Sequence, residues 1–444
     1  TAIGQGVRAP TLLREGVESA LETLGTGFLQ HPANQELRQQ LADGTIRPTD
    51  IHAALLRLVY RLLFWAVAED RDALHAPEAT GKQRQRYHDY FSSARLRSLA
   101  LTRHGSAHDD LWESVRLVHD ALGRGGGEPR LGLSGLGGLF SPTAADVLAG
   151  SRLPNTALLA AIRSLSVVQP KGEARRVVDF AHLGAEELGS IYESLLELSP
   201  RHDPITHAFS YAILAGNDRK TTGSYYTPTE LVELVLDTAL DPVLDDVEKR
   251  TTTAEERAEA LLDLKICDPS VGSAHVLVAA ARRIALRLAT ARTGELDPTP
   301  VDYSDALHDV VARCLYGVDL NPMSADLAKV SLWLTAMTPG RPLSFLDHHI
   351  KVGNALLGTT PALLAFGVPS AAFVALTGDD KATAGAWKKA NTAELKNRGQ
   401  ADLFGDDGIV LDTTPTRRAL AEISGRLTAS ETVNDVAWAA QRHA

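Results

Sequence analysis

The chain has 444 residues, with 45 Lys and Arg against 55 Asp and Glu, for a formal charge of −10. At roughly 100–200 residues per domain, that length predicts two to four domains and a core that needs no disulfide or metal staple. No apolar run is expected to reach the ~18–20 residues of a membrane-spanning helix, and TAIGQGVRAP at the N-terminus lacks the charged-then-apolar order of a signal peptide. Cys267 and Cys314 stand far apart, which excludes a disulfide framework and a Cys-rich zinc ribbon and makes a reduced, cytoplasmic protein the expectation. The acidic balance argues against a wholly basic nucleic-acid coat but leaves room for a local basic face.

Residues 1–215 read as a mostly α-helical domain. IHAALLRLVYRLLFWAVAED (51–70) sets Leu55, Leu58, Val59, Leu62 and Leu63 at helical spacing. Its apolar face is too wide for a surface helix, so burial is predicted. GKQRQRYHDYFSSARLRSLALTRHG (81–105) gathers Lys82, Arg84, Arg86, Arg95, Arg97 and Arg103 around three aromatic residues, with Asp89 alone opposing them. This is either a face that contacts the phosphates of double-stranded DNA or a solvated helix surface. A helix is predicted at 111–122, and a Gly- and Pro-punctuated loop at 123–142 that lacks the Lys-Ser/Thr of a phosphate loop. Further helices are predicted at 153–165, capped by Asn155 or Thr156, and at 183–198.

Near residue 216 the pattern changes. A helix is predicted over 227–240, with Thr227 as N-cap and Pro228 in its first position. A polar stretch (245–260) precedes an apolar run, ALLDLKICDP (260–269), read as a buried strand. A helix (273–292), a strand (314–320), a helix (322–337) and a strand (349–357) follow. Alternation of this kind implies a parallel sheet with helices on its faces. Residues 367–444 read as an insertion, part helical and part loop, with one more helix near 416–429.

The chemistry gathers at the strand ends. In CDPSVGSAHVLVAAARRIA (267–285), a strand ends at Asp268-Pro269 and a turn of small residues opens into a helix. Gly272 lets a ligand approach the backbone, and the helix start offers free N–H groups. In YGVDLNP (316–322), Asp319 ends the next strand, where an acid can bond both hydroxyls of a ribose or cap a helix. Asn321 is the better-placed cap, which leaves Asp319 for a ligand. The third strand ends at Gly353-Asn354. Upstream, KTTGSYYTPTELV (220–232) is either a ligand-facing loop or a helix start stapled by a tyrosine.

The order Gly-Ser-Tyr-Tyr-Thr-Pro, Asp-Pro-x-x-Gly-Ser, Gly-Val-Asp-Leu-Asn-Pro and Gly-Asn-x-Leu-Leu resembles the S-adenosylmethionine-dependent N6-adenine DNA methyltransferases, above all the large type IIG and BREX-type enzymes of restriction-modification and phage defence. The resemblance is specific over 216–358. It extends more loosely upstream through LYRLLFWAVAEDRDAL, LGGLFSP and LGSIYESLLEL. It implies an α/β fold: a Rossmann-like, doubly wound methyltransferase sheet, present in part (216–366), preceded by the helical domain. It also implies roles in binding S-adenosyl-L-methionine. Tyr225, Thr227 and Pro228 would border the methionine end. Asp268, Pro269 and Gly272 would lie beneath the amino acid moiety. Asp319 would hold the ribose, Leu320 or Pro322 would lie near the adenine, and Asn354 would face the adenine amino group.

Two departures stand out. The usual Gly-Ser-Gly turn is Gly272-Ser273-Ala274 here, and no Asn-Pro-Pro-Tyr catalytic run occurs, so no catalytic residue is assigned. The family places that run after the Gly-Asn strand. The chain opens on Thr and closes inside the insertion, so part of a longer polypeptide is expected, with the catalytic and target-recognition parts on the remainder or on a partner chain. A nicotinamide enzyme is disfavoured, because G-x-G-x-x-G is absent and Asp319 lies beyond the usual ~20-residue offset. A non-catalytic cofactor- or DNA-binding module of a defence complex is the rival of a different class. No metal site and no membrane association are proposed.

Overall fold

The computed structural model describes residues 8–142, 146–169, 174–184, 198–213, 227–357, 369–375 and 380–404, with Glu187 and Gly189. Two compact units divide the described residues, the first holding those up to Gly353 and the second those from Asn354 onward.

The first unit begins with helices α1 (Arg8–Gln30), α2 (Gln35–Ala42), α3 (Pro48–Asp70), α4 (Gly81–Tyr90), α5 (Ser93–Thr102), α6 (Asp110–Gly123) and α7 (Asn155–Ser166). Pro48 presets the first turn of α3, and the Asp50 carboxylate accepts the Arg47 N–H at 2.8 Å. Contrary to expectation, α3 is long and apolar enough to cross a membrane by length and composition, with a mean hydropathy of 1.5. Arg57 and Arg61 interrupt its apolar run without lowering that mean below membrane range. The helix lies inside the protein, with 83% of its most apolar stretch buried, as its apolar width predicts. Arg57 pairs with Asp326 at 3.3 Å and Arg61 with Asp146 at 3.5 Å.

The predicted caps of α7 are displaced. Pro154 holds the N-cap position without a side-chain bond. Asn155 instead accepts the Leu111 N–H at 3.2 Å and donates to Asp110 at 2.8 Å, tying α7 to the start of α6. Strands β1 (Val167–Val168) and β2 (Arg176–Val177) pair antiparallel, as do β3 (Leu198–His202) and β4 (Phe209–Ile213). Most of the helix predicted at 183–198 lies outside the described residues, and Leu198 opens β3.

Helix α8 (Thr229–Val235) runs through a π turn (Leu236–Leu240) into α9 (Asp241–Arg250). Pro242 explains the π turn. It has no N–H for the Thr238 carbonyl four residues back, and its ring crowds that carbonyl, so the turn widens. Thr253 caps α10 (Ala254–Leu262) by accepting the Glu256 N–H at 3.1 Å. That helix takes Ala260–Leu262, so the strand expected from residue 260 shrinks to β5 (Ile266–Asp268). Helices α11 (His275–Thr293) and α12 (Pro300–Arg313), strand β6 (Leu315–Asp319), helix α13 (Pro322–Thr335) and strand β7 (Ile350–Val352) follow. The three strands are parallel in the order β5-β6-β7, with Asp268 opposite Gly317 and Asp319 opposite Val352.

The helical and sheet-bearing regions share one core. Leu343 donates its N–H to the Leu136 carbonyl at 2.8 Å, and Arg71 donates to the Leu334 carbonyl at 3.2 Å. A Cβ on Gly138 would sit 3.0 Å from Leu343 and 3.1 Å from Trp333, so a glycine permits this close approach. In the second unit a 3₁₀ turn (Ser370–Phe373) precedes α14 (Lys381–Phe404). The helix predicted near 416–429 lies outside the described residues.

Candidate functional site

Two strand ends build the site. At the end of β5, Asp268 is half-buried, and its Oδ1 accepts the Ser270 N–H at 3.0 Å. The chain then turns through Val271, whose N–H donates to the Val318 carbonyl of β6 at 2.9 Å. Gly272 follows with φ +51°, a conformation that favours glycine. A Cβ there would meet nothing within 4 Å, so the backbone borders open space.

The Gly272 N–H donates to Asp319 Oδ2 at 3.0 Å, while Asp319 Oδ1 accepts the Asn321 N–H at 2.8 Å. One carboxylate thus latches the turn after β5 to the turn after β6. A carboxylate offers about four lone-pair positions, so two remain for a ligand. Asn321 caps α13 as its position in the sequence predicts, accepting the Met323 N–H at 2.9 Å.

Burial raises the Asp268 carboxyl above its ordinary range, the Ser270 N–H opposes this, and the nearby charge of Asp319 adds to the rise. Neither carboxylate has an ion-pair partner among the described residues. The pair forms a negative, partly desolvated spot at the carboxyl end of a parallel sheet, where open α/β sheets bind ligands. It suits hydroxyl donors and a cationic group.

Ala274 was read in sequence as a departure from a glycine pattern, and its geometry accounts for the pattern. It is fully buried at the N-cap of α11 with φ +65°, in the left-handed region. Its N–H closes the turn onto the Val271 carbonyl at 2.7 Å, and no side chain caps the helix. The roles of Ser270 and Val271 come from backbone N–H groups, which side-chain identity does not reveal. Gly189, in the LGSIYESLLEL segment, comes so near that a Cβ would lie 2.8 Å from the Ser273 hydroxyl.

The remaining sequence-predicted residues divide. Pro269 and Leu320 are exposed beside the two carboxylates in sequence. Thr227 is half-buried one residue before the N-cap. Pro228 occupies the cap position, and the helix begins at Thr229, one residue later than expected. Tyr225 lies outside the described residues. Asn354 is the first residue of the second unit, and its side-chain oxygen accepts the Leu356 N–H at 2.9 Å.

In the basic cluster, Arg97 grips Asp70 through two bonds at 2.5 and 3.0 Å and lies 4.9 Å over the Phe180 ring. Arg84 pairs with Asp72 at 3.1 Å, and Arg86 donates to the Arg130 carbonyl at 3.0 Å. Lys82 and Arg86 are exposed and Arg95 is half-buried.

Fold and site together define an α/β domain with paired acids at adjacent strand ends. Residues 201–343 match the family model described as N-6 DNA Methylase. A relative from Methanocaldococcus jannaschii, provisionally named as a type II restriction enzyme and methyltransferase, is 26% identical over 216 residues, covering 40% of this chain and 17% of that protein. A solved structure of the type IIL restriction-modification enzyme MmeI in complex with DNA is 18% identical, with a TM-score of 0.41, over 71% of this chain and 35% of MmeI. The chain thus spans under a fifth of the curated relative and about a third of MmeI.

Proposed function

We propose that the chain carries the cofactor-binding half of an N6-adenine DNA methyltransferase that uses S-adenosyl-L-methionine on double-stranded DNA, within a type IIG or BREX-like restriction-modification or phage-defence system of the bacterial cytoplasm. The observation that carries the reading is the Asp319 latch beside Asp268, inside the segment that matches the N-6 DNA methylase family. The residues present fit the cofactor. Asp319 keeps free lone pairs for the ribose hydroxyls, Gly272 borders open space, and two carboxylates without an ion-pair partner among the described residues complement a cationic ligand. The cofactor supplies an activated methyl group. The chain's own part is positioning and electrostatics.

No Asn-Pro-Pro-Tyr run is present, so this reading assigns the grip on the target adenine to residues outside these 444, on the same polypeptide or a partner. That absence also favours the second reading, a non-catalytic cofactor- or DNA-binding module of a defence complex. Calorimetry and labelled-methyl transfer test both. The chain alone is expected to bind S-adenosyl-L-methionine and to leave DNA unmethylated. No binding would overturn the cofactor assignment, and methylation by the chain alone would overturn the placement of the acceptor motif elsewhere. Salt-dependent binding through Lys82, Arg86 and Arg95 is the companion proposal for DNA.

A further inference from the structure

Helix α14 presents a row of cations. From Lys381 to Lys396 the sequence has four lysines and one acid, Glu394, whose place in the helical repeat is opposite the lysine row. Lys388, Lys389, Thr392 and Lys396 fall on one side of the helix, with Gly385 and Ala393 between them. At 1.5 Å per residue, Lys388 to Lys396 spans about 12 Å. All three lysines are exposed, and none has an ion pair among the described residues. Gly385, Thr392 and Ala393 on that side are short, so the ammonium groups project furthest. Only Ala384 and Asn391 are half-buried between Lys381 and Ala393. Trp387 is exposed on the opposite side, but a single aromatic is no apolar stripe, so the helix is not shaped to enter a core or to lie in a membrane surface.

We propose that this lysine row grips the phosphate backbone of double-stranded DNA, with the identity of the partner resting on the methyltransferase reading. The chemistry favours backbone over bases. Lysines act as point charges without the planar fork that reads guanine, so the contact is independent of sequence. Duplex DNA carries one charge per ~1.7 Å of axis, so a row of about 12 Å faces several phosphates. In a chain of net charge −10, four lysines against one acid over residues 381–396 are a local reversal of sign.

The test uses the full chain with Lys388→Gln, Lys389→Gln and Lys396→Gln combined, and a labelled duplex of mixed sequence titrated across salt concentrations. Removing three phosphate contacts should make the log–log salt slope shallower by about 2.7. Between roughly 50 and 200 mM salt, wild type should then lose about 40-fold more affinity than the variant. S-adenosyl-L-methionine affinity, measured on both proteins, should be equal. An unchanged slope overturns the proposal, as does a wild-type chain that binds no duplex or prefers phosphatidylserine vesicles. Loss of cofactor binding in both proteins would overturn the methyltransferase reading instead, while the slope still judges the lysine row.

Discussion

Replacing Asp319 by Asn keeps the shape of the side chain but removes its charge and turns one acceptor into a donor. In the wild type both oxygens are occupied, Oδ1 by the Asn321 N–H at 2.8 Å and Oδ2 by the Gly272 N–H at 3.0 Å. The Asn amide satisfies one of these and meets the other donor to donor. Hydrogen bonds to charged groups contribute about 1.5–3 kcal/mol, and the site is half-buried, so water offsets part of the loss. Stability should fall by about 1–2 kcal/mol. Cofactor affinity should fall separately, by about 1–3 kcal/mol, through one weakened ribose contact and the lost charge. Urea unfolding measures the first quantity. Calorimetry with S-adenosyl-L-methionine, on protein shown to be folded, measures the second. A variant that loses stability yet binds cofactor as wild type does would mean that Asp319 only fastens two turns, and the ligand role would be refuted.

Ala274→Gly relieves a left-handed alanine worth about 1–2 kcal/mol, but it gives up a buried methyl (~0.8 kcal/mol) and loosens the unfolded chain. Its stability should stay within about 1 kcal/mol of wild type, whereas Ala280→Gly, equally buried inside α11, should cost about 1–2 kcal/mol; comparable urea midpoints for the two variants would refute the strain at Ala274. Arg97→Gln should destabilise by on the order of 2–3 kcal/mol, since it strands Asp70 and frees the Phe180 face, and Lys82→Gln should not; thermal unfolding separates them, and equal melting temperatures would count against a structural Arg97. Burial lowers His52 to about 4, and His119 and His349 to about 3. With folded values depressed, their contribution is full above about pH 6.5 and is lost as pH falls towards those values, by up to ~1.4 kcal/mol per pH unit for each histidine. A urea midpoint that stays flat between pH 7 and 5 would show that these rings protonate in place.

What the sequence made legible followed from local rules. Asn321 before Pro322 reads as a cap, and it is one. Asp268 and Asp319 end apolar runs, so a parallel sheet brings them to one edge. Other features were hidden by ambiguity or distance. Apolar residues 260–262 fit a helix as well as a strand, and the Thr253–Glu256 cap, which starts the helix at Ala254, decides the matter. Arg97 looked like one cation among several because its partner Asp70 sits 27 positions away. The π turn follows from Pro242, yet a proline at that point equally predicts a helix break.

The pattern of charge pairing gives the two strand-end acids their weight. Arg283 reaches Glu233, Asp237 and Asp241 at once, and Arg287 takes Asp245 and Glu248, so α11 is fastened to α8, the π turn and α9 by five acids on two arginines. Asp309 is held well below the usual carboxylate range, its own burial outweighed by the neighbouring His308 ring and by the charges of Arg292 and Arg341. Half-buried acids in this unit therefore tend to find cations. Asp268 and Asp319 belong to the same unit, and neither has an ion-pair partner among the described residues. Burial shifts the Asp268 carboxyl upward, and the charge of Asp319 adds to the rise. Holding two carboxylates together without a cation costs stability, and a bound cationic ligand would remove that cost. Such a ligand should therefore lower the Asp268 pKa, and its affinity should weaken as acid protonates that carboxylate.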